Sequence, residues 1–155
     1  GLSIVTVEDN LLNFTEHIPQ KIELIVCMGD TLTHLQTLEE VQRLLDDAGR
    51  ALDDNGRLIL GFRDLTHELK NLDRFIPVRS DSKNIFTCFL EFEKDHVKVH
   101  DMLYEKTAEQ WVLKKSYYRK LRLSKGWVDN QLSDAGFSQI ESSVDKSFVT
   151  VMAVK

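Results

Sequence analysis

The residues Cys-Met-Gly-Asp-Thr-Leu-Thr-His-Leu, Cys27 to Leu35, put a glycine, a carboxylate, two hydroxyls and an imidazole directly after the apolar run Ile22-Glu-Leu-Ile-Val26. A parallel strand ending in such a cluster offers it where open α/β sheets bind ligands, at the carboxyl ends of the strands. Gly29 allows close backbone approach, while Asp30, Thr31 and His34 supply polar side chains. Arg63 stands in the same kind of place, after the apolar run at 57–62. Plainer readings stay open. The cluster also fits a capped strand-to-helix turn, and Arg63 could pair with Asp64 or with Asp30 itself.

Other chemistries find little support. His96 and His100 are four apart on a predicted strand. That separates them by roughly 13 Å at about 3.3 Å per residue, too far to share one ion. His17 and His67 are isolated, so no metal is expected. Cys27 and Cys88 lie in apolar surroundings and read as free thiols of a reducing compartment. No Ser-His-Asp grouping, phosphate loop or paired-carboxylate pattern occurs. The net charge of -5, with both signs interspersed, gives no footprint for nucleic acid. With 155 residues, 42% of them hydrophobic, one core is affordable. No signal peptide and no apolar run near 18 residues is present. The expectation is a cytoplasmic, soluble protein with no membrane partner.

Stepwise periodicity supplies the elements that would hold these groups. Residues 3–7 predict a strand, 8–14 a loop, and 22–28 a second strand buried on both faces. Thr37 and Glu40 form a capping-box pattern ahead of a helix over 37–52, with Leu38, Val41, Leu44, Leu45, Ala48 and Leu52 on one stripe. Asp54-Asn-Gly56 turns into a strand at 57–62, and 64–72 predicts a short helix. Strand, helix, strand is a crossover unit, so the first half is α/β. Residues 84–92 and 96–104 predict a hairpin, with a third antiparallel strand at 110–121. A helix over 124–135 ends at Gly136, and 139–144 and 148–154 form a final antiparallel pair. The whole reads as one domain, 1–155, carrying an antiparallel insert at 76–121.

In this order the pieces resemble the C-terminal two-thirds of a class I S-adenosylmethionine-dependent methyltransferase. Residues 22–35 resemble the family's fourth-strand motif. LDDAGRALDDNGRLILGFRD at 45–64 resembles the helix, turn and fifth strand, and Leu132-Ser-Asp-Ala-Gly-Phe137 resembles the segment before the last two strands. The insert and the wording Gly-Asp-Thr-Leu-Thr-His-Leu are similar to the glycine N-methyltransferase-like group. The fold so implied is a partial Rossmann-like methyltransferase sheet. No G-x-G-x-x-G occurs, and the first strand resembles the family's third. The resemblance therefore implies a fragment lacking two strand-helix units, roughly 60 residues at about 30 per unit.

The resemblance also implies roles. Asn10, Leu11, Cys27, Met28 and Gly29 match cofactor-contacting positions, with S-adenosylmethionine as cofactor. Asp30, Thr31, His34, Arg63 and Tyr117 match the substrate side. There an arginine in the position of Arg63 would clamp an acceptor carboxylate, and Tyr117 or Tyr118 would belong to a lid. The family usually has asparagine at the position of Asp30; a carboxylate there would accept an amine and repel an acid. The implied activity is methyl transfer to a small acceptor, an amine foremost, and one that this chain alone would not perform. The alternative is a non-catalytic methyltransferase-like module, or an inactive fragment, acting by protein association. In either case an apolar sheet edge at 22–28 would invite self-association, or the first strand would re-pair beside it.

Overall fold

The structure is a computed structural model that describes residues 3–18 and 20–155. Its elements in chain order are β1 (Ile22–Cys27), α1 (Leu38–Ala51), β2 (Leu52–Arg63), β3 (Phe75–Ser80), β4 (Asn84–Phe92), β5 (His96–Thr107), β6 (Gln110–Leu121), α2 (Lys125–Asp134), β7 (Ser138–Asp145) and β8 (Phe148–Val154). Short 3-10 helices occupy Leu11–His17, Thr31–His34 and Asn71–Arg74. The chain divides into two compact units, Gly1–Arg63 with Lys125–Lys155, and Asp64–Ser124.

The first unit is a four-stranded sheet in the order β1-β2-β8-β7. β1 runs parallel to β2, and β8 enters antiparallel between β2 and β7. Opposed pairs Leu58–Ala153, Leu60–Val151 and Phe62–Val149 all point to one side and are buried. Val41, Leu44, Leu45 and Ala48 of α1 and Val128 and Leu132 of α2 are buried with them. Gly49 marks a tight approach of the helices: a Cβ there would lie 3.1 Å from the Ala135 carbonyl oxygen.

α1 begins as its cap residues dictate. The Thr37 side chain accepts from the Glu40 amide at 3.2 Å, and the Glu40 carboxylate accepts from the Gln36 amide at 2.7 Å. The reciprocal half of the capping box thus falls one residue upstream of Thr37. α2 ends in a Schellman turn. Gly136 stands at φ 87, the Phe137 amide donates to the Leu132 carbonyl at 3.0 Å, and the Gly136 amide donates to Ser133 at 3.0 Å.

Several expectations need correction here. Residues 3–7 form no strand, and Ile4 and Val5 are each 84% exposed. β-branched residues favour extended backbone, but a strand exists only with a partner, and these residues do not re-pair beside β1. The expected loop at 8–14 is instead the cap and start of a 3-10 helix, because the Asn10 side chain accepts from the Leu12 amide at 3.0 Å. β1 is buried on one face only: Leu24 and Val26 remain 51% and 54% exposed. Both described helices of this unit accompany the opposite face, and among the described residues β1 pairs with β2 alone. The register jumps from Ile22–Leu52 to Leu24–Arg57, so β2 starts earlier than expected and bulges through Asn55, at φ 64.

The second unit is a four-stranded antiparallel sheet in the order β3-β4-β5-β6. β4 and β5 form the expected hairpin, and β6 follows. β3 is additional. Its Pro77 makes the run unlike a strand in sequence, but a proline is tolerated on an edge. The helix expected over 64–72 is only the 3-10 turn Asn71–Arg74. An aromatic stripe crosses this sheet through Phe75, Phe89, His100 and Tyr117, with successive ring centroids 4.8, 5.7 and 6.1 Å apart. No helix among the described residues is long and apolar enough to cross a membrane.

Two substitutions check the account of the first unit by urea unfolding. Phe62→Ala empties a fully buried site and should lower stability by about 3–5 kcal/mol. Gly136→Ala meets open space, so only the left-handed backbone resists it, and a loss of about 1–2 kcal/mol is expected.

Candidate functional site

β1 ends at Cys27, and two consecutive left-handed residues, Gly29 at φ 75 and Asp30 at φ 71, turn the chain into the 3-10 helix Thr31–His34. That reversal is why the sequence carries Gly-Asp here: glycine takes positive φ freely, and aspartate tolerates it better than most residues. Leu32 and Thr33 are fully buried and anchor the turn. The Thr31 hydroxyl donates to the Met28 carbonyl at 2.8 Å, closing the turn from the other side.

Asp30 lies below the surface, only 6% exposed. Its backbone amide donates to the Gly61 carbonyl at 3.1 Å. Its Oδ1 accepts from the Arg63 amide at 2.8 Å and from the Thr33 hydroxyl at 3.2 Å. Oδ2 stands 4.0 Å from Arg63 Nε. The Arg63 guanidinium lies over the Phe148 ring, 5.8 Å from its centroid, and its side chain is 54% exposed. The open alternative of an Asp30–Arg63 pairing is therefore realised, chiefly through the backbone of Arg63.

Beside this tip is a cleft of about 320 Å³. Leu11 and Phe14 of the first 3-10 helix, Ile25, Cys27, Met28 and Thr31 around the end of β1, and Leu44, Leu45 and Ala48 of α1 line it. The lining is largely apolar and offers no charged side chain. Gly29 has no atom within 4 Å of where a Cβ would sit, so nothing in the turn blocks an approach to its backbone.

The structure thus brings Leu11, Cys27, Met28 and Thr31 together on one cleft, with Gly29, Asp30 and Arg63 at the adjoining strand tips. Asn10 caps the 3-10 helix, and His34 is exposed on the turn. Tyr117 belongs to the second unit. It is 64% exposed there, with the Lys98 ammonium 4.4 Å from its ring centroid. Sequence reasoning missed Phe14 and Phe148 as site residues. Phe14 is legible in retrospect as the i+3 neighbour of Leu11 on a helical turn. Phe148 is not, because it meets Arg63 only through the β2–β8 register.

Neither thiol is poised as a nucleophile. Burial pushes the Cys27 thiol up. Cys88 is pushed up to about 11, first by burial and then by the Asp101 carboxylate, which accepts from its S–H at 3.2 Å. Among the described residues no group of three or more His, Cys, Asp or Glu is placed to hold a metal ion.

No protein-family model and no curated protein matches this sequence. Solved structures do. An S-adenosylmethionine-dependent methyltransferase from Clostridium acetobutylicum aligns with TM-score 0.75 at 15% identity, over 94% of this chain and 62% of its own. An amino pentose methyltransferase from Micromonospora echinaspora, solved with S-adenosylmethionine bound, aligns with TM-score 0.77 at 10% identity, over 95% and 63%. A sugar N-methyltransferase from Streptoalloteichus aligns with TM-score 0.73 at 11% identity, over 95% and 60%. At such identities the likeness establishes the fold: this is a Rossmann-like methyltransferase sheet with an antiparallel insert. The chain spans about three-fifths of the length of each of these structures.

The thiol assignment has a direct check. With its folded pKa raised from 9.0 to about 11, Cys88 holds a proton that the unfolded chain gives up in that window. Its contribution to stability is present below pH 9 and is lost as pH rises toward 11. Asp101→Asn removes the charge that opposes ionisation, so Cys88 should react faster with a disulfide reagent at pH 8.5, while Cys27 keeps its rate.

Proposed function

We propose that these residues form the acceptor-side part of an S-adenosylmethionine-dependent methyltransferase of the glycine N-methyltransferase-like group, acting on a small amine that carries a carboxylate. The observation that carries this reading is the cleft itself. Leu11 and, from the stretch after β1, Cys27, Met28 and Thr31 line one apolar cleft beside the strand tip bearing Arg63.

The fit to the cofactor is good on one side. Leu11, Phe14, Ile25, Cys27 and Met28 suit the adenine ring, Asn10 could meet its exocyclic amine, and Gly29 leaves the backbone approachable. A glycine-rich loop and a ribose-binding acid are not supplied by this sequence. The bound cofactor would supply an electrophilic methyl group for in-line displacement by an amine. Arg63 would hold the acceptor by bidentate pairing with its carboxylate, orienting the nitrogen. The apolar lining would exclude water from the slot. A neutral amine needs no strong general base.

We assign the protein to the cytoplasm, with a small-molecule substrate rather than a nucleic acid. The open side of β1 is proposed as the contact through which two copies associate, since Leu24 and Val26 are half exposed on the end strand of the described sheet. Light scattering should show a dimer at high micromolar concentration, and Val26→Lys should dissolve it. A monomer throughout removes this contact.

Titration of S-adenosylhomocysteine into 15N-labelled chain tests the cofactor reading. Amide shifts should concentrate at Leu11, Cys27, Met28 and Thr31, with weak affinity because only part of the site is supplied. An unchanged spectrum at millimolar ligand would overturn the cofactor placement.

A further inference from the structure

We propose that Asp30 is a positioning residue, a buried carboxylate that ties two strand tips together and aims the Arg63 guanidinium, rather than a group that touches the acceptor. The proposal rests on Arg63 being the anion-binding group of the site proposed above.

An ionised carboxylate is buried at a large free-energy cost unless its oxygens find partners. Those of Asp30 do so at the tips. Oδ1 accepts from the Arg63 amide at 2.8 Å and the Thr33 hydroxyl at 3.2 Å. The backbone of the same residue donates to Gly61 at 3.1 Å and accepts from the Thr33 amide at 3.2 Å; its carbonyl, at 2.8 Å, also shares the single Thr33 hydroxyl proton with Oδ1. One residue therefore locks the turn after β1 to Gly61 and Arg63, at the end of the neighbouring strand β2.

The consequence falls on Arg63. Its own backbone amide is held by Asp30, which fixes where the side chain leaves the sheet. The second carboxylate oxygen stands 4.0 Å from Nε, and the Phe148 ring lies beneath the guanidinium. With the Nε end facing Asp30 and one face over the ring, the two Nη groups form the edge directed away from the protein's own carboxylate. That edge is the one a planar carboxylate pairs with in two parallel hydrogen bonds. Asp30, at 6% exposure and with oxygens already accepting, is poorly placed to receive an amine.

The left-handed φ of 71 chooses the variants. Asn tolerates that conformation and keeps an oxygen for the Arg63 amide, but removes the charge. Gly keeps the conformation without strain and removes the side chain. Arginine-labelled chain reports the order of the Arg63 Nε–Hε group and its response to acetate, the probe anion. Arg63→Lys identifies the signal.

Wild type should show an ordered Nε–Hε that shifts with acetate. Asp30→Asn should keep that order and bind acetate at least as tightly, since a negative neighbour is gone. Asp30→Gly, with unchanged circular dichroism, should lose the order and bind acetate roughly tenfold more weakly than Asp30→Asn, which has lost the same charge but keeps Arg63 aimed. Wild-type order in Asp30→Gly, or lost order in Asp30→Asn, overturns the proposal. The order comparison decides the role of Asp30 whether or not acetate binds. An ordered wild-type Arg63 that ignores acetate counts instead against Arg63 as the anion-binding group.

Discussion

The position of β2, paired parallel to β1 on one side and antiparallel to β8 on the other, is what the first unit depends on. Two ladders satisfy its backbone polar groups, so it can carry Leu58, Leu60 and Phe62 into the core without leaving unpaired amides there. The same registers set the site. Cys27 lies opposite Leu60 on one side, and Arg63 lies opposite Phe148 on the other. Slipping either register by one residue would turn Phe62 to the open face and Arg63 away from Asp30.

The strand tips combine two environments that the physics keeps apart. The cleft is apolar and built by helix and strand side chains that would pack in any α/β protein. The tip beside it holds a buried carboxylate, an exposed guanidinium and an aromatic ring. The carboxylate survives burial chiefly because Oδ1 accepts from the Arg63 backbone amide, which cannot move without disturbing β2, while the Thr33 hydroxyl shares its one proton between Oδ1 and the Asp30 carbonyl. A ligand that pairs a flat apolar portion with a charged one could occupy both environments, which is the shape of the function proposed above.

The second unit solves a different problem. Its sheet is crossed by four aromatic or imidazole rings, and charges are arranged over them: Arg74 over Phe89 at 4.8 Å and Lys98 over Tyr117 at 4.4 Å. His100 is hydrogen-bonded to Glu91 at 2.7 Å, which holds that carboxyl below its usual range. The edge strand β6 is long and exposed, but it carries Lys114, Lys115, Arg119 and Lys120, charges of the kind that discourage edge-to-edge pairing.

Where local rules act alone, the residues could be read directly. Thr37 and Glu40 announced α1, Gly136 announced the end of α2, and alternation announced the β4–β5 hairpin, because caps, left-handed turns and strand periodicity are set within a few residues. The position of the polar cluster after β1 was legible for the same reason. Residues 3–7 show the limit: their propensity is for a strand, but a strand is made by its neighbour, and none among the described residues pairs with them. β3 shows the converse, a weak local signal around Pro77 made into a strand by pairing with β4. The sequence by itself determined which groups stand at the strand tips, since order along the chain places them there. Only the tertiary structure decided that Asp30 is buried against the Arg63 amide while Arg63 stays exposed over Phe148, because those relations depend on registers between strands far apart in the chain.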